Sequence, residues 1–310
     1  MLESLDGNKN LKPGGKNEAN GAHLQLLRGY RKQILIRANE KDPIINGMSY
    51  NAARDELFFV DKANSLVRVA RQGNNNIELR QVYRASEETG AIICDVCYIK
   101  VFDTLLVCLR EFPIGLGRNI DCLLALNRNG DEWGVEDRVE LYSIGSLALL
   151  KCCPLGATHI IAGQHYSFSL ELYRINSQSR IEHLHRFLMP SFYFDFATRP
   201  GSGEFVATCF GHSVLVHRVS GDRLEAIART QLDRPSKLLW LPERLLVSVI
   251  REKNSDSVIE LDVVGTHIQR RSQIIFEIDL TVLSCWCAVG DGLALSAGVC
   301  PQEIMFYTFE

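Results

Sequence analysis

No apolar run in this 310-residue chain approaches the roughly 18 residues that a membrane-crossing helix requires, so the sequence carries no expectation of a bilayer span. A basic excess is missing too. The 34 Lys and Arg against 37 Asp and Glu leave a net charge of −3, which disfavours nucleic acid as a partner. Apolar residues spaced at the helical period do not persist along any stretch, which argues against long helices. The opening residues, Met1-Leu2-Glu3-Ser4-Leu5-Asp6, run into polar sequence without the apolar centre of a secretory signal. Nucleophile-elbow, phosphate-loop and metalloprotease motifs are also lacking, so no catalytic signature is present.

What is present begins with ten cysteines in a chain that is 46% apolar. Disulfide frameworks belong mainly to small secreted domains, and this chain has neither mark. Cys94, Cys97, Cys108, Cys209, Cys285 and Cys287 fall inside apolar, strand-like runs, where a thiol behaves as a small hydrophobe. The expectation is reduced core cysteines in a cytoplasmic protein, with a nuclear one also compatible.

The strongest signal is repetition. An alternating apolar phrase ending near glycine occurs at 66–73, 123–130, 170–177, 214–221 and 258–265, and a sixth copy, 304–310, stops at the chain end. Four of the first five continue through a turn into an apolar-acid or apolar-amide pair: Ile77-Glu78, Ile181-Glu182, Leu224-Glu225 and Ile268-Gln269. The continuation that the sixth copy lacks stands at the front, where Gly21-Ala22-His23-Leu24-Gln25 parallels Gly265-Thr266-His267-Ile268-Gln269. The copies lie 57, 47, 44, 44 and 46 positions apart, with four short strand-like runs in each. That period and strand count are those of a ring of sheets.

The chain therefore resembles the β-propeller superfold, in the manner of WD40/YVTN-like and six-bladed NHL-like repeats, over about residues 21–310. Its only Gly-His pair, Gly211-His212, is not placed as in WD40 repeats, Trp-Asp is absent, and no Gly-Gly pair marks a kelch blade. The expected fold is all-β: one six-bladed propeller of four-stranded antiparallel blades. Residues 1–20 are expected to be a disordered tail. The blades cover about 44–84, 91–141, 147–189, 192–232, 236–276, and 281–310 plus 21–33. The last is closed by an N-terminal outer strand, from Leu24 to about Lys32, beside Ile304–Tyr307.

Candidate chemistry is sparse. Cys94-Asp95-Val96-Cys97 has knuckle spacing, but residues three apart on a strand point to opposite faces, so no metal site is expected there. His183 and His185, two apart on an outer strand, are expected to share a face, with no third ligand nearby in sequence. Arg71, Arg128, Arg174 and Arg218 recur late in the third strand or just after it, which suggests a structural role such as pairing with the Glu of the fourth strand or covering apolar surface. Pro190 and Pro235 read as turn markers between blades. Loops after the second strands should converge on one rim, with Lys62, Arg110, His165, His212 and Arg251 as partner-binding candidates and an insertion at 112–121 beside them. No catalytic residue, metal ligand or cofactor is expected. The reading is a non-enzymatic, monomeric interaction or scaffolding module that binds a protein or peptide on its rim. Its rival is a metal-dependent hydrolase or lactonase-like enzyme with a site at the channel mouth.

Overall fold

The computed structural model describes residues 23–26, 32–35, 45–63, 65–72, 77–113, 119–141, 150–250, 257–275, 283–290, 292–297 and 303–308. Within them the chain is a six-bladed all-β propeller, and its one helical element is the 3-10 turn Lys100–Phe102. Blade 1 runs from the axis outward as Ile45–Asn51, Glu56–Asp61, Leu66–Gln72 and Ile77–Arg84. Blade 2 is Ile92–Ile99, Thr104–Glu111, Ile120–Asn129 and Glu132–Leu141, and blade 3 is Leu150–Leu155, His159–Gln164, Ser167–Ile175 and Ile181–Tyr193. Blade 4 is Asp195–Thr198, Phe205–Phe210, Ser213–Ser220 and Arg223–Gln231, and blade 5 is Pro235–Trp240, Leu245–Val249, Ser257–Val264 and His267–Ile275.

Blade 6 takes Leu283–Val289, Gly292–Ala297 and Glu303–Thr308 from the C-terminal end and its outer strand, Lys32–Leu35, from the N-terminal end. Lys32 pairs with Phe306 and Leu35 with Glu303, antiparallel. The closing strand thus lies at the far end of the segment that the repeat pointed to. The sequence that mimics blade 5, His23–Leu26, instead adds to blade 5 itself as a fifth strand, parallel to His267–Ile275. Likeness to an outer strand sent this segment to a neighbouring edge.

Second strands are buried along most of their length, as Glu56–Asp61 and Leu245–Val249 show, because blades cover them on both faces. Outer strands alternate towards water, as in Ile77–Arg84. The core consists of apolar layers between successive blades: Phe58, Val67, Val96 and Val107 join blade 1 to blade 2, and Cys97, Leu106, Ile160 and Tyr173 join blade 2 to blade 3.

Bulges recur where the sequence suggested none. Each fourth strand of blades 1 to 5 carries one, with Val82, Glu136, Leu184, Ile227 and Arg271 as the extra residues. Four inner strands carry one near their start, at Gly47, Cys94, Ser236 and Ser284. Bulges sharpen the local twist, which sheets packed radially require. Gly47, at φ 69°, lies so close to the Asp95 backbone that a Cβ there would overlap it.

The free edges of the inner strands are joined into a ring by cross-blade bonds. Asn46 Nδ2 donates to the Cys94 carbonyl at 2.8 Å, and the Cys152 N–H donates to Asp95 Oδ2 at 3.1 Å. Lys151 Nζ donates to Asp195 Oδ1 at 2.9 Å and to the Phe196 carbonyl at 2.7 Å, and the Leu238 N–H donates to Asp195 Oδ2 at 2.8 Å. Trp286 Nε1 reaches the Leu238 carbonyl at 3.1 Å, and the Cys285 thiol reaches the Ile45 carbonyl at 3.8 Å. Every seam has at least one such bond.

Four outcomes are expected. Removing residues 1–20 should leave the denaturant midpoint unchanged. Removing residues 1–35 takes away both N-terminal strands and should cost about 3–5 kcal/mol, from a handful of ladder bonds at roughly 1 kcal/mol each. Asp195→Ala strands the Lys151 ammonium and the Leu238 N–H, and equilibrium unfolding should register a loss of about 3–5 kcal/mol. His217, buried and bonded through Nε2 to Thr208 Oγ1 at 2.9 Å, has its pKa lowered by burial to about 4. The unfolded chain then takes up this proton first, so stability falls as pH drops from about 6.5 towards 4. The melting temperature of His217→Gln relative to wild type should accordingly climb on acidification through that window.

Candidate functional site

Two neighbouring cavities occupy the axis and one rim. The axial one, about 320 Å³, is lined by all six inner strands, including Asn46, Asp95, Cys152, Asp195, Lys237 and Trp286. The second, about 660 Å³, opens where blades 3, 4 and 5 meet, among His165, Phe194, His212, Arg234, Lys237 and Ile250. His165 and Lys237 border both.

Local structure explains these placements. His165 and Tyr166 form the tight turn after His159–Gln164, with Tyr166 at φ 59° and its N–H bonded to the Tyr193 carbonyl at 2.8 Å. His165 Nδ1 contacts the Phe194 carbonyl and lies 3.8 Å from Asp195 Oδ1. Burial, then the nearby Lys237 ammonium, lowers its pKa to about 4, so the imidazole is neutral near pH 7. A neutral ring that donates Nδ1–H to a carbonyl keeps Nε2 as an acceptor. Lys237 follows the bulge at Ser236, and its N–H is held by Ser248 Oγ at 3.0 Å.

Asp195 sets the field at the mouth. Burial opposes its charge, but Lys151, His165 and Lys237 together hold its carboxyl below the ordinary range. In return, Asp195 keeps the Lys151 ammonium above its usual pKa despite burial.

Beside the rim cavity lies a ridge of exposed apolar side chains. Tyr166 is 63% exposed, Phe168 56%, Phe192 43% and Leu188 79%. Edge-to-face contacts link the rings in series: Tyr166 with Phe194 at 5.4 Å, Phe194 with Phe192 at 5.6 Å, and Phe192 with Phe168 at 6.0 Å. The outer strand of blade 3 makes this possible. It continues through Pro190 to Tyr193, and its register slips opposite Phe168. Pro190 therefore sits within an edge strand where a turn was expected, a position that tolerates a missing N–H. Pro235 opens the inner strand of blade 5. Sequence reasoning missed the ridge. The density of aromatics at Tyr166, Phe168, Phe192 and Phe194 was its available signal.

The structure brings together only part of the expected rim set. His165 and His212 share the rim cavity, with His212 Nδ1 3.3 Å from Asp233 Oδ1 on the surface. Arg110 is not a rim group. It is buried within its strand and paired with Asp121, Nε to Oδ1 at 2.7 Å and Nη2 to Oδ2 at 3.0 Å, while Gln164 of blade 3 donates to the same carboxylate. Lys62 occupies the turn after Glu56–Asp61 in blade 1, remote from the cavity of blades 3 to 5. Arg251 lies outside the described residues, as does 114–118 of the insertion.

Two parity expectations are reversed. The bulge at Cys94 turns Cys94 and Cys97 into the same apolar layer between blades 2 and 3. The bulge at Leu184 puts His183 opposite Tyr173 and His185 opposite Leu172, so the two histidines face opposite sides. His183 Nε2 meets Glu171 Oε2 at 2.8 Å, whereas His185 packs on Phe187. The recurring arginines have structural partners. Arg174 pairs with Glu182 of the fourth strand, Arg71 and Arg128 converge on buried Glu56, and Arg218 covers the Phe205 ring.

No protein-family description and no curated protein matches this chain. Solved structures do. The apo aldose sugar dehydrogenase of Escherichia coli superposes with a TM-score of 0.57 at 10% identity, over 89% of this chain and 98% of that one. Saccharomyces cerevisiae Sqt1 gives 0.53 at 9% identity, over 83% and 81%. Virginiamycin B lyase from Staphylococcus aureus gives 0.53 at 10% identity, over 91% and 100%. Enzymes stand among these neighbours, so the likeness extends to the ring and not to its chemistry. The chain is a six-bladed β-propeller.

Proposed function

We propose that this propeller is a non-enzymatic interaction module that binds a peptide segment of a protein partner across the rim of blades 3 to 5. The observation that carries the reading is the continuity of the aromatic ridge with the rim cavity. A ridge of exposed, mutually packed rings offers apolar area at little entropic cost, and aromatic anchors dominate the energetics of protein interfaces. The adjoining cavity presents Lys237 and Arg234 beside a neutral imidazole. The fitting segment has an aromatic or aliphatic anchor for the ridge and an acidic residue one or two positions away for the cavity.

Asp195, the carboxylate beside His165, is bonded to Lys151 and to the Leu238 N–H. That engagement supports presentation of a surface over hydrolysis at the mouth. A similar chain, with a TM-score of 0.54 at 10% identity, occurs in the mitotic checkpoint complex, which shows that this architecture can serve within an assembly.

Selection of a random peptide library on the immobilised protein tests the reading. Enrichment of acidic sequences with an aromatic or large aliphatic residue is expected. Phe168→Ala and Phe192→Ala alter exposed positions and should each weaken a selected peptide by about 10–30-fold, as loss of an anchor of roughly 2 kcal/mol implies. Lys237→Glu should remove the preference for acidic residues. Equal enrichment on wild type and all three variants would sink the proposal.

A further inference from the structure

The layer between blades 2 and 3 holds a group of metal-ligand side chains that the rim does not use. An oxygen of Asp95 and the sulfurs of Cys108 and Cys152 lie within 4.8 Å of one another. Cys97 adds a third thiol, within hydrogen-bond reach of Cys152. The bulge at Cys94 creates the arrangement. Beyond it, Asp95 stands directly opposite Cys108 in the antiparallel pair, and Cys97, two residues on, points the same way. Cys152 enters from the inner strand of the next blade, and its N–H is fixed on Asp95 Oδ2 at 3.1 Å.

Packing explains small thiols near a crowded axis, and the seam bond from the Cys152 N–H explains an acceptor at Asp95, but neither calls for an acid among thiols. Asp95 is buried, and among the described residues its hydrogen-bond partners are the backbone N–H groups of Cys152 and Val96. No described cation is bonded to it, and Lys151 acts on it only through space. A buried carboxylate without a bonded cation is costly, and a bound metal ion removes that cost. Access exists, because Asp95, Cys97 and Cys152 all line the axial cavity.

We propose that Asp95, Cys108 and Cys152 bind a zinc ion, with Cys97 poised as the fourth ligand. Two thiolates and a carboxylate form an S,O donor set suited to tetrahedral zinc. Zinc displaces the thiol protons, which leave to solvent, so the ion and the three anionic ligands carry one net negative charge. The Lys151 ammonium next to Cys152 offsets it.

Cobalt titration of the reduced, metal-stripped full chain under anaerobic conditions provides the test. One equivalent should bind with the near-ultraviolet thiolate charge-transfer band and visible bands of a tetrahedral centre, and added zinc should bleach both. Cys152→Ser and Cys108→Ala should abolish the charge-transfer signal or reduce it at least severalfold, and Asp95→Asn should weaken cobalt retention against a chelator. Cys209→Ser in blade 4 and His165→Ala at the rim should leave the signal unchanged. If a cysteine variant does not fold, the zinc-induced rise in melting temperature, expected for wild type and absent in Asp95→Asn, serves in its place. Absence of stoichiometric binding, or a signal that survives Cys152→Ser and Cys108→Ala, would overturn the proposal. So would a signal lost with His165→Ala, which would move the ion to the channel mouth.

Discussion

Six sheets that meet at an axis leave six inner edges unpaired, and satisfying those edges governs most of what is unusual in this molecule. A buried, unpaired backbone group costs about as much as a lost hydrogen bond, so an open inner edge cannot be left dry. Each seam is solved with a different side chain: Asn46 between blades 1 and 2, Asp95 between 2 and 3, Lys151 between 3 and 4, Asp195 between 4 and 5, Trp286 between 5 and 6, and Cys285 between 6 and 1. These groups also line the axial cavity. The residues that hold the ring shut are thus the residues that any molecule entering the channel would meet.

The solutions are unevenly distributed, and the unevenness makes the site. The seams on either side of blade 6 use an indole and a thiol, both neutral. Those from blade 3 to blade 5 use a Lys–Asp pair, with His165 and Lys237 beside it. Beside these seams, burial and then the Lys237 ammonium keep His165 neutral, and Lys237 with Arg234 gives the rim cavity its cationic character. Between blades 2 and 3 the seam is a carboxylate embedded among thiols. Chemistry is concentrated in one half of a pseudo-symmetric ring, because the shared repeat builds the ring and the departures from it face the axis.

How much of this could be read from the sequence depended on the length scale. The repeat phrase gave the blade count and the need for an N-terminal strand, because four-strand periodicity survives averaging over about 45 residues. It misassigned His23–Leu26, since an outer strand's sequence fits any outer edge, and pairing chose the edge of blade 5. Finer geometry failed for a single reason. Arguments about which face a residue takes assume a period of two, and one extra residue inverts everything beyond it. Cys94 did this to Cys97, and Leu184 did it to His183 and His185. Arg110 was misread on other grounds: a charged residue late in a second strand resembles the start of a loop unless its partner, Asp121, is known to stand opposite. The glycine in the bulge of blade 1 is the one local cue, and blade 2 uses cysteine at the same place.

The aromatic ridge and the channel are not independent surfaces. Blade 3 passes into blade 4 almost without a connecting loop, so Phe192 of the ridge, Phe194 at its junction with the cavity, and Asp195 at the axis lie within four consecutive residues. The Phe194 carbonyl meets His165, its N–H is bonded to the Cys209 carbonyl at 2.7 Å, and Asp195 is held from blades 3 and 5. A surface ring is thereby fixed by interactions of the core. Rigid anchors of this kind lose little entropy when covered, which favours tight association through a small contact. The same coupling works inward: a partner that displaced Phe194 would strain the Asp195 seam, so the ridge can serve as a docking surface only for ligands that accept its shape as it stands.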